Sequence, residues 1–335
     1  MMNFLDELLE DKLLKVISLV GLFAAYLLDA FDNRFYYYSA AGITFFLLVS
    51  AAVRVYKQRE LFQTEVLDIP IVVAFEPNVT PKYMLETLFK DLEAKSTIIN
   101  LKEKLKKYRN IVEEELVFEY KGDLYDKERL LSFFQIIHFS ITKMKENNPN
   151  KIHFHLLSYK RPSYGFWLGY IFENEELSVY QQVPDKDTIN KIAHLKDRIY
   201  KNSIQKYEKF DIQLLKMDEN SDTVLLAIKA SSHKITFASE SLVHYTNIVS
   251  MVAKHDGTIQ DDEDWVLYAR EIFTQLMKLQ EHYKKIVIVH NMPESLAIIV
   301  GKATGNFWPV LIRQYDVPSG EYKEIMQLND LRCYF

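Results

Sequence analysis

The sequence has a single cysteine and lacks the short motifs by which many enzymes are recognised. Cys333 has no second cysteine in the chain with which to form a disulfide, which indicates a reducing compartment. No Walker A loop and no GxGxxG, HExxH or GxSxG motif occurs. Because 41 basic residues are outnumbered by 46 acidic ones, the chain has no global positive field with which to hold long nucleic acid. We therefore expect a protein that is not an enzyme and that does not bind long nucleic acid.

The hydrophobic residues are distributed unevenly along the chain. The overall composition, 48% hydrophobic and 26% charged, is typical of a globular protein and excludes collagen-like and disordered chains. Residues 16–28 and 35–53, however, contain no charged side chain. A helix rises about 1.5 Å per residue, so about 20 apolar residues cross a bilayer. The sequence predicts a two-helix transmembrane hairpin over residues 13–60, with a buried helical hairpin of a soluble protein as the alternative.

The basic residues around this hairpin predict its orientation. One basic residue, Arg34, lies in the connector, and five flank the open ends: Lys12, Lys15, Arg54, Lys57 and Arg59. Since short cytoplasmic segments are enriched in lysine and arginine, we expect both termini on the cytoplasmic side. Residues 1–12 carry an apolar face and an acidic face, which predicts an amphipathic lead-in helix on the membrane surface or against a neighbour.

From about residue 65 onward, short β runs alternate with helical patterns, which predicts an α/β fold with a mainly parallel sheet. The predicted strands are 69–75, 151–157, 223–228, 286–290 and 310–314. The predicted helices are 81–94, 97–112, 127–146, 187–207, 265–284 and 294–303. Residues 151–181 and 285–315 show the same order of strand, proline-containing loop, helix and strand, which indicates two related Rossmann-like units.

The stretch 284–316, KKIVIVHNMPESLAIIVGKATGNFWPVLIRQYD, resembles the C-terminal signature of SAVED domains. In that signature a strand is followed by a turn with proline, an apolar AxxxG helix and a strand that ends near a tyrosine. The matching residues here are Pro293, Ala297, Gly301 and Tyr315. The resemblance covers about residues 65–335 and implies two fused CARF-like Rossmann units. The expected organisation is a lead-in (1–12), the transmembrane hairpin (13–60) and a SAVED domain (61–335), with units 61–184 and 223–335 joined by a polar connector, 185–222.

The resemblance also implies a function. SAVED domains sense cyclic oligonucleotides made by CD-NTase-type synthases in CBASS anti-phage immunity, and a transmembrane hairpin is one of their effector types. For this chain it implies a transmembrane SAVED effector in the bacterial inner membrane. Such an effector binds a cyclic oligonucleotide, expected to be a cyclic trinucleotide, forms homo-oligomers and disrupts the membrane, which causes abortive infection. The expected partners are this ligand, the lipid bilayer and further copies of the chain, and no cofactor or metal is expected.

The resemblance places the ligand pocket in the loops after four predicted strands, residues 76–80, 158–164, 229–234 and 290–295. Rossmann-like sheets bind ligands beyond the carboxyl ends of their strands, where helix N-termini attract phosphates. A small anionic ring needs cations, hydroxyl and amide donors, and aromatic rings for stacking. The candidate ligand-binding residues are Lys160, Arg161, Tyr164, Trp167, Ser231, Ser232, His233, Lys234, Asn291, Pro293, Ser295 and Trp308. Serine and asparagine in such loops can equally cap helices, and Trp167 can equally be a core residue.

Two further patterns permit a metal site or an ordinary structural role. His153 and His155 alternate on a predicted strand and share a face, as a pair of metal ligands would. No cysteine or carboxylate partner is evident nearby in the sequence, which favours a structural role. The acidic run 261–264 can hold a cation, but its position before a predicted helix favours a loop and an N-cap.

Two other functions remain as alternatives. A membrane-anchored cyclic-oligonucleotide hydrolase needs an activated nucleophile, and the best available set is His233 with Ser231 or Ser232. A non-signalling membrane scaffold needs no small-molecule pocket at all.

Overall fold

The computed structural model describes residues 66–75, 81–95, 101–148, 151–159, 161–183, 188–196, 204–255, 257–305 and 308–333. All of them belong to one compact unit of the chain, residues 66–335. The predicted lead-in (1–12) and transmembrane hairpin (13–60) therefore lie outside the described residues. Among the residues that are described, no helix is both long enough and apolar enough to cross a membrane.

The first sheet has five strands in the order β2-β1-β3-β4-β5. Its strands are β1 (Leu67–Ala74), β2 (Val117–Glu119), β3 (Ile152–Tyr159), β4 (Glu176–Gln182) and β5 (Ile189–Leu195). Strands β2, β1, β3 and β4 are parallel, and β5 pairs with β4 in the antiparallel direction. Strands β1 and β3 are buried on both faces, which explains the apolar run that begins at Ile69 in β1, whereas β3 buries His153 and His155 among its apolar residues.

The second sheet has six strands in the order β11-β10-β9-β7-β8-β6. Its strands are β6 (Phe210–Lys216), β7 (Thr223–Lys229), β8 (Ile248–Ala253), β9 (Lys285–His290), β10 (Val310–Asp316) and β11 (Glu321–Gln327). Apart from the additional antiparallel strand β6, the order and the directions repeat those of the first sheet, with β7 to β11 in the places of β1 to β5. The described chain is thus a mixed α/β fold with two sheets, and the shared topology confirms the internal similarity that the sequence predicts.

Seven α-helices and three short 3₁₀ helices accompany the described strands, and the last 3₁₀ helix follows the final strand. The α-helices are α1 (Pro81–Lys95), α2 (Leu101–Arg109), α3 (Lys127–Glu146), α4 (Gly165–Ile171), α5 (Glu240–Val243), α6 (Trp265–Gln280) and α7 (Glu294–Thr304). The 3₁₀ helices are Glu113–Glu115, Pro162–Tyr164 and Leu328–Cys333. Helix α6 begins where Asp264 accepts a hydrogen bond from the N–H of Leu267 at 3.0 Å, which confirms the predicted cap in the acidic run.

The two halves meet where helices α4 and α7 cross. A Cβ atom on Gly301 would lie 2.0 Å from the carbonyl oxygen of Phe166, and one on Gly169 would lie 2.0 Å from the carbonyl oxygen of Ile298. The backbones of the two helices are therefore in direct contact, which glycine alone permits at these positions. Helix α4 follows β3 and α7 follows β9, so the crossing joins equivalent elements of the two halves. This contact explains the AxxxG pattern of α7 in physical terms.

The helix predicted over residues 187–207 is wrong. Its first part is strand β5, which pairs with β4. Ile189, Ala193 and Leu195 are buried at even spacings, which place them on one face of a strand, whereas in a helix Leu195 would lie on the side opposite to Ala193. Strands β5 and β6 both fall within the range 185–222 that the sequence suggested as a polar connector, and the predicted unit boundaries stay predictions.

Candidate functional site

The structure brings together three of the four loops that the sequence singled out. They follow the carboxyl ends of β3, β7 and β9, and the fourth predicted loop, 76–80, lies outside the described residues. Strands β7 and β9 are parallel neighbours in the second sheet, whereas β3 belongs to the first. Contacts between these loops therefore join the two halves of the fold.

The end of β3 and the loop after it are hydrogen-bonded to the start of α7 and to the end of β9. The hydroxyl of Ser158 donates to Oε1 of Glu294 at 2.5 Å, and the backbone N–H of Arg161 donates to Oε2 at 3.2 Å. Oγ of Ser163 lies 2.9 Å from Nε2 of His290, the last residue of β9. Two side chains of the second half thus hold the loop of the first half in place.

Asn291 joins the loop after β7 to the loop after β9. Its Oδ1 accepts a hydrogen bond from the N–H of Ala230 at 2.9 Å, and its Nδ2 donates to the carbonyl oxygen of His233. The three described loops consequently form one cluster, which we call the loop cluster. It consists of residues 158–159, 161–164, 230–234 and 290–295.

Burial changes the protonation of two groups in the loop cluster. Burial raises the pKa of Glu294 to about 7, while the hydrogen bonds from Ser158 and Arg161 oppose this rise. Burial lowers the pKa of His290 to about 3, so its imidazole is neutral at pH 7. Nδ1 of His290 is buried and has no hydrogen-bond partner among the described residues. The cluster therefore contains a carboxyl group that can be neutral near pH 7 and a neutral imidazole with one nitrogen atom available.

Most of the predicted ligand-binding residues lie in the loop cluster with solvent-exposed or half-buried side chains. They are Arg161, Ser231, Ser232, His233, Lys234, Asn291 and Pro293. Lys160 lies outside the described residues. The predicted ligand-binding residues did not include Glu294, Ser158, Ser163 or His290. Their positions at the ends of predicted strands or in the loops that follow were the available signal, but only the fold pairs them.

The rings of the aromatic candidates pack within the protein, although Tyr164 itself belongs to the loop cluster. The ring of Tyr164 is buried and stacked on Phe75 at a centroid distance of 4.7 Å. Trp167 is fully buried in α4, and its Nε1 donates to the carbonyl oxygen of Gln327 at 3.2 Å. Trp308 stacks on Phe273 at 5.2 Å and precedes the amino end of β10, at the edge of the sheet opposite to the loop cluster. A role in stacking a ligand does not fit these positions, because these rings already pack against side chains of the protein.

Two further candidates have structural contacts. Ser295 is buried, and its hydroxyl donates to the carbonyl oxygen of Tyr180 at 3.5 Å. The backbone N–H of His233 donates to Oγ of Ser231 at 3.4 Å, which is a turn contact and does not bring the imidazole to the hydroxyl as a base and its nucleophile.

A cluster of histidines lies on the first sheet near the amino ends of its strands, away from the loop cluster. Oδ1 of Asp68 is 2.8 Å from Nε2 of His155 and 3.1 Å from Nδ1 of His153. The register of the sheet places Asp68 directly opposite His153, which explains the contact. Burial lowers the pKa of His155 to about 4. A carboxylate partner is therefore present, although it is 85 or more positions away in the sequence and no local pattern reveals it.

Comparisons with known proteins identify a family and several similar structures. The model of the family described as "SMODS-associated and fused to various effectors sensor domain" (SAVED) matches residues 143–328. No curated protein sequence matches the chain. The solved structure of an Acinetobacter baumannii Cap4 SAVED/CARF-domain containing receptor with the cyclic trinucleotide 2'3'3'-cAAA is similar, with 14% identity, a TM-score of 0.49, and coverage of 85% of this chain and 56% of that one.

A Moraxella osloensis Cap4 SAVED/CARF-domain containing receptor is also similar, with 13% identity and a TM-score of 0.44. That match covers 78% of this chain and 50% of the other, so the chain corresponds to little more than half the length of these receptors. The family model covers more than half of the chain and includes the stretch 284–316 on which the resemblance rests. The chain belongs to the SAVED family.

Proposed function

We propose that the SAVED domain of this chain senses a cyclic oligonucleotide and that the ligand binds at the loop cluster. The observation that carries this proposal is the convergence of loops from both sheets, joined through Glu294, His290 and Asn291. A ring-shaped anion presents several phosphates and base edges, so it needs donors that converge from different elements. The description of the family as a sensor domain fused to effectors supports sensing rather than catalysis. A cyclic trinucleotide is the ligand that the sequence resemblance implies.

The charges of the loop cluster suggest how an anion would be held. Lys234 is exposed in the loop after β7 and offers an ammonium group to a phosphate. The first turn of α7 contributes backbone N–H groups at the positive end of an 11-residue helix. Glu294 occupies that end with its own carboxyl group, so an anionic ligand must approach it in the neutral form or displace it. The raised pKa of Glu294 reduces the electrostatic cost of this step near pH 7.

Calorimetric titration of the full chain with a panel of cyclic di-, tri- and tetranucleotides tests the binding proposal. We expect one ring size to bind, and we expect Lys234→Ala to weaken that binding about tenfold, because a charge-assisted hydrogen bond contributes about 1.5 kcal/mol. Lys143→Ala, an exposed lysine on α3, is the matched control and should leave the affinity unchanged. Absence of binding across the panel, or equal affinities of the wild type and Lys234→Ala, would contradict the proposal.

We further propose that residues 13–60 span the bacterial inner membrane and that ligand binding assembles the chains and disrupts the bilayer. The apolar runs 16–28 and 35–53 support the span, and the basic residues that flank them support cytoplasmic termini. A ligand can drive assembly only if it binds the assembled form more tightly than the unassembled one. In liposomes that contain the full chain, the cognate ligand should release a trapped dye. Leakage that does not depend on the ligand, or no leakage at saturating ligand, would contradict this part of the proposal.

A further inference from the structure

The histidine cluster of the first sheet has the composition of a metal site. Asp68 on β1 and His153 and His155 on β3 place one carboxylate oxygen and two imidazole nitrogens within 4.8 Å of one another. Two nitrogen ligands and one oxygen ligand are a common set for Zn²⁺, in which a water molecule completes a four-coordinate shell. We propose that Asp68, His153 and His155 bind a divalent transition-metal ion of the Zn²⁺ class.

The two separations from the carboxylate oxygen fit such an ion after a small adjustment, and the two imidazole nitrogens lie within 4.8 Å of each other. With metal–ligand bonds of about 2.0–2.1 Å, ligand atoms of a tetrahedral site lie about 3.3 Å apart. Oδ1 of Asp68 lies 2.8 Å from Nε2 of His155 and 3.1 Å from Nδ1 of His153, so each separation has to grow by only a few tenths of an ångström. The side chain of Asp68 is 21% exposed and those of the two histidines are 11% and 5% exposed, which leaves a path from solvent on the carboxylate side.

The second nitrogen of each histidine has a partner that orients the ring. Nδ1 of His155 lies 3.0 Å from the hydroxyl of Tyr180, and Nε2 of His153 lies 2.9 Å from Oγ of Ser178. Metal-binding histidines are usually held in this way, with the ring N–H donating to a neighbouring oxygen. Nδ1 of His153 and Nε2 of His155 can therefore each direct a lone pair towards an ion beside Asp68 without any change of rotamer.

A neighbouring set, His153 with Glu176 and His194, is less suited to a cation. Nε2 of His194 lies 3.3 Å from Oε1 of Glu176, but the ammonium of Lys151 is 2.6 Å from the other oxygen of that carboxylate. Lys151 already neutralises Glu176 and would repel a metal ion at that place. Oγ of Ser178 lies 3.2 Å from Nδ1 of His194, so this set continues the hydrogen-bond chain behind His153. We therefore assign the ion to the set that contains Asp68, and His194 contributes only a hydrogen-bond contact with Ser178 behind His153.

The test is titration of the chelator-treated full chain with Co²⁺ alone and then with Zn²⁺ alone. We expect one Co²⁺ ion to bind per chain and to show the visible absorption of a four-coordinate, tetrahedral site. One equivalent of Zn²⁺ should then displace the Co²⁺. Residues 1–65 contain no histidine or cysteine, so they offer none of the nitrogen or sulfur ligands such a site requires. Asp68→Asn, which keeps the size of the side chain, and His155→Gln should each weaken Co²⁺ binding at least about tenfold.

His282→Gln is the matched control, because His282 is exposed after α6 and should leave the titration unchanged. Circular dichroism establishes that each variant is folded. Should a variant fail to fold, the wild-type chain provides a second readout, since Co²⁺ should shift the imidazole N–H resonances of two histidines. Absence of stoichiometric Co²⁺ binding would overturn the proposal, as would full binding in Asp68→Asn together with its loss in His194→Gln.

Discussion

The crossing of α4 and α7 gives a prediction whose size can be worked out from the structure. In Gly301→Ala, the new methyl group would lie 2.0 Å from the carbonyl oxygen of Phe166 and 2.6 Å from its Cα. An ordinary contact between carbon and a carbonyl oxygen is about 3.3 Å or longer, so the helices must separate by more than about 1 Å. The opposing atoms belong to a backbone, and no change of side-chain rotamer relieves the overlap.

Two opposing terms determine the expected result for Gly301→Ala. Overpacking of a core contact costs about 1–3 kcal/mol, and here the cost lies at the upper end because two helix backbones must move. Replacing glycine by alanine inside a helix returns up to about 1 kcal/mol. We expect a net loss of about 2 kcal/mol in the free energy of unfolding, which corresponds to a fall in Tm of about 4–8 °C for a unit of this size.

Urea denaturation of the full chain, followed by circular dichroism, measures this effect. Gly169→Ala should behave alike, because its methyl group meets the carbonyl oxygen of Ile298 at the same crossing. The variant with both substitutions should lose less free energy of unfolding than the sum of the two single losses, since the first alanine already separates the helices. Ser132→Ala, at an exposed position of α3, is the control and should change stability by less than about 0.5 kcal/mol. A neutral or stabilised Gly301→Ala would refute the backbone contact.

Three further predictions concern buried polar groups. In Lys302→Met, three carbonyl oxygens that accept hydrogen bonds from the Lys302 ammonium at 2.7–2.9 Å lose their donor. We therefore expect the free energy of unfolding, measured by urea denaturation, to fall by about 3 kcal/mol. A fall smaller than that of the exposed control Lys143→Met would contradict this prediction. Glu271→Gln should lower the free energy of unfolding by about 1–3 kcal/mol, because Glu271 accepts hydrogen bonds from the backbone N–H groups of residues 208–210 at the start of β6. An unchanged midpoint of urea denaturation would contradict this role of Glu271. Burial raises the pKa of Glu294 from 4.5 to about 7, so its contribution to stability is complete below about pH 4.5 and is lost as the pH rises to about 7. The free energy of unfolding of the wild type, relative to that of Glu294→Gln, should therefore fall over this range. Parallel pH profiles of the two proteins would disprove the raised pKa of Glu294.

The elements of the fold were predictable where local signals agree. The helix predicted over residues 127–146 coincides with α3, because Asp126 caps its first turn and buried residues recur on one face. The strands β1, β7 and β9 were found because each contains a short apolar run between polar segments. Strand β5 was missed, although its buried residues share one face of a strand, because polar residues separate them and the strand forms by pairing with β4.

The candidate site was predictable in outline. The rule that Rossmann-like sheets bind ligands beyond the carboxyl ends of their strands selected the loops that the structure brings together. The rule does not distinguish a side chain that faces a loop from one that faces the core. Tyr164 and Trp167 were therefore proposed as stacking residues, although both are buried. Glu294 was overlooked, because a glutamate in a first helical turn has an ordinary capping role unless another loop packs against it.

The sequence by itself determined the family, the alternation of strands and helices, the internal similarity of the two halves and the loops that follow the strands. Each of these depends on residues close together along the chain, where periodicity, turn residues and motif spacing act. Only the tertiary structure decided which residues of different strands and loops face one another. Asp68 meets His153 and His155 through strand register, and Glu294 meets Ser158 through the meeting of the two halves. Such pairs are set by the packing of sheets and helices across long separations in the chain, and no local pattern encodes that packing.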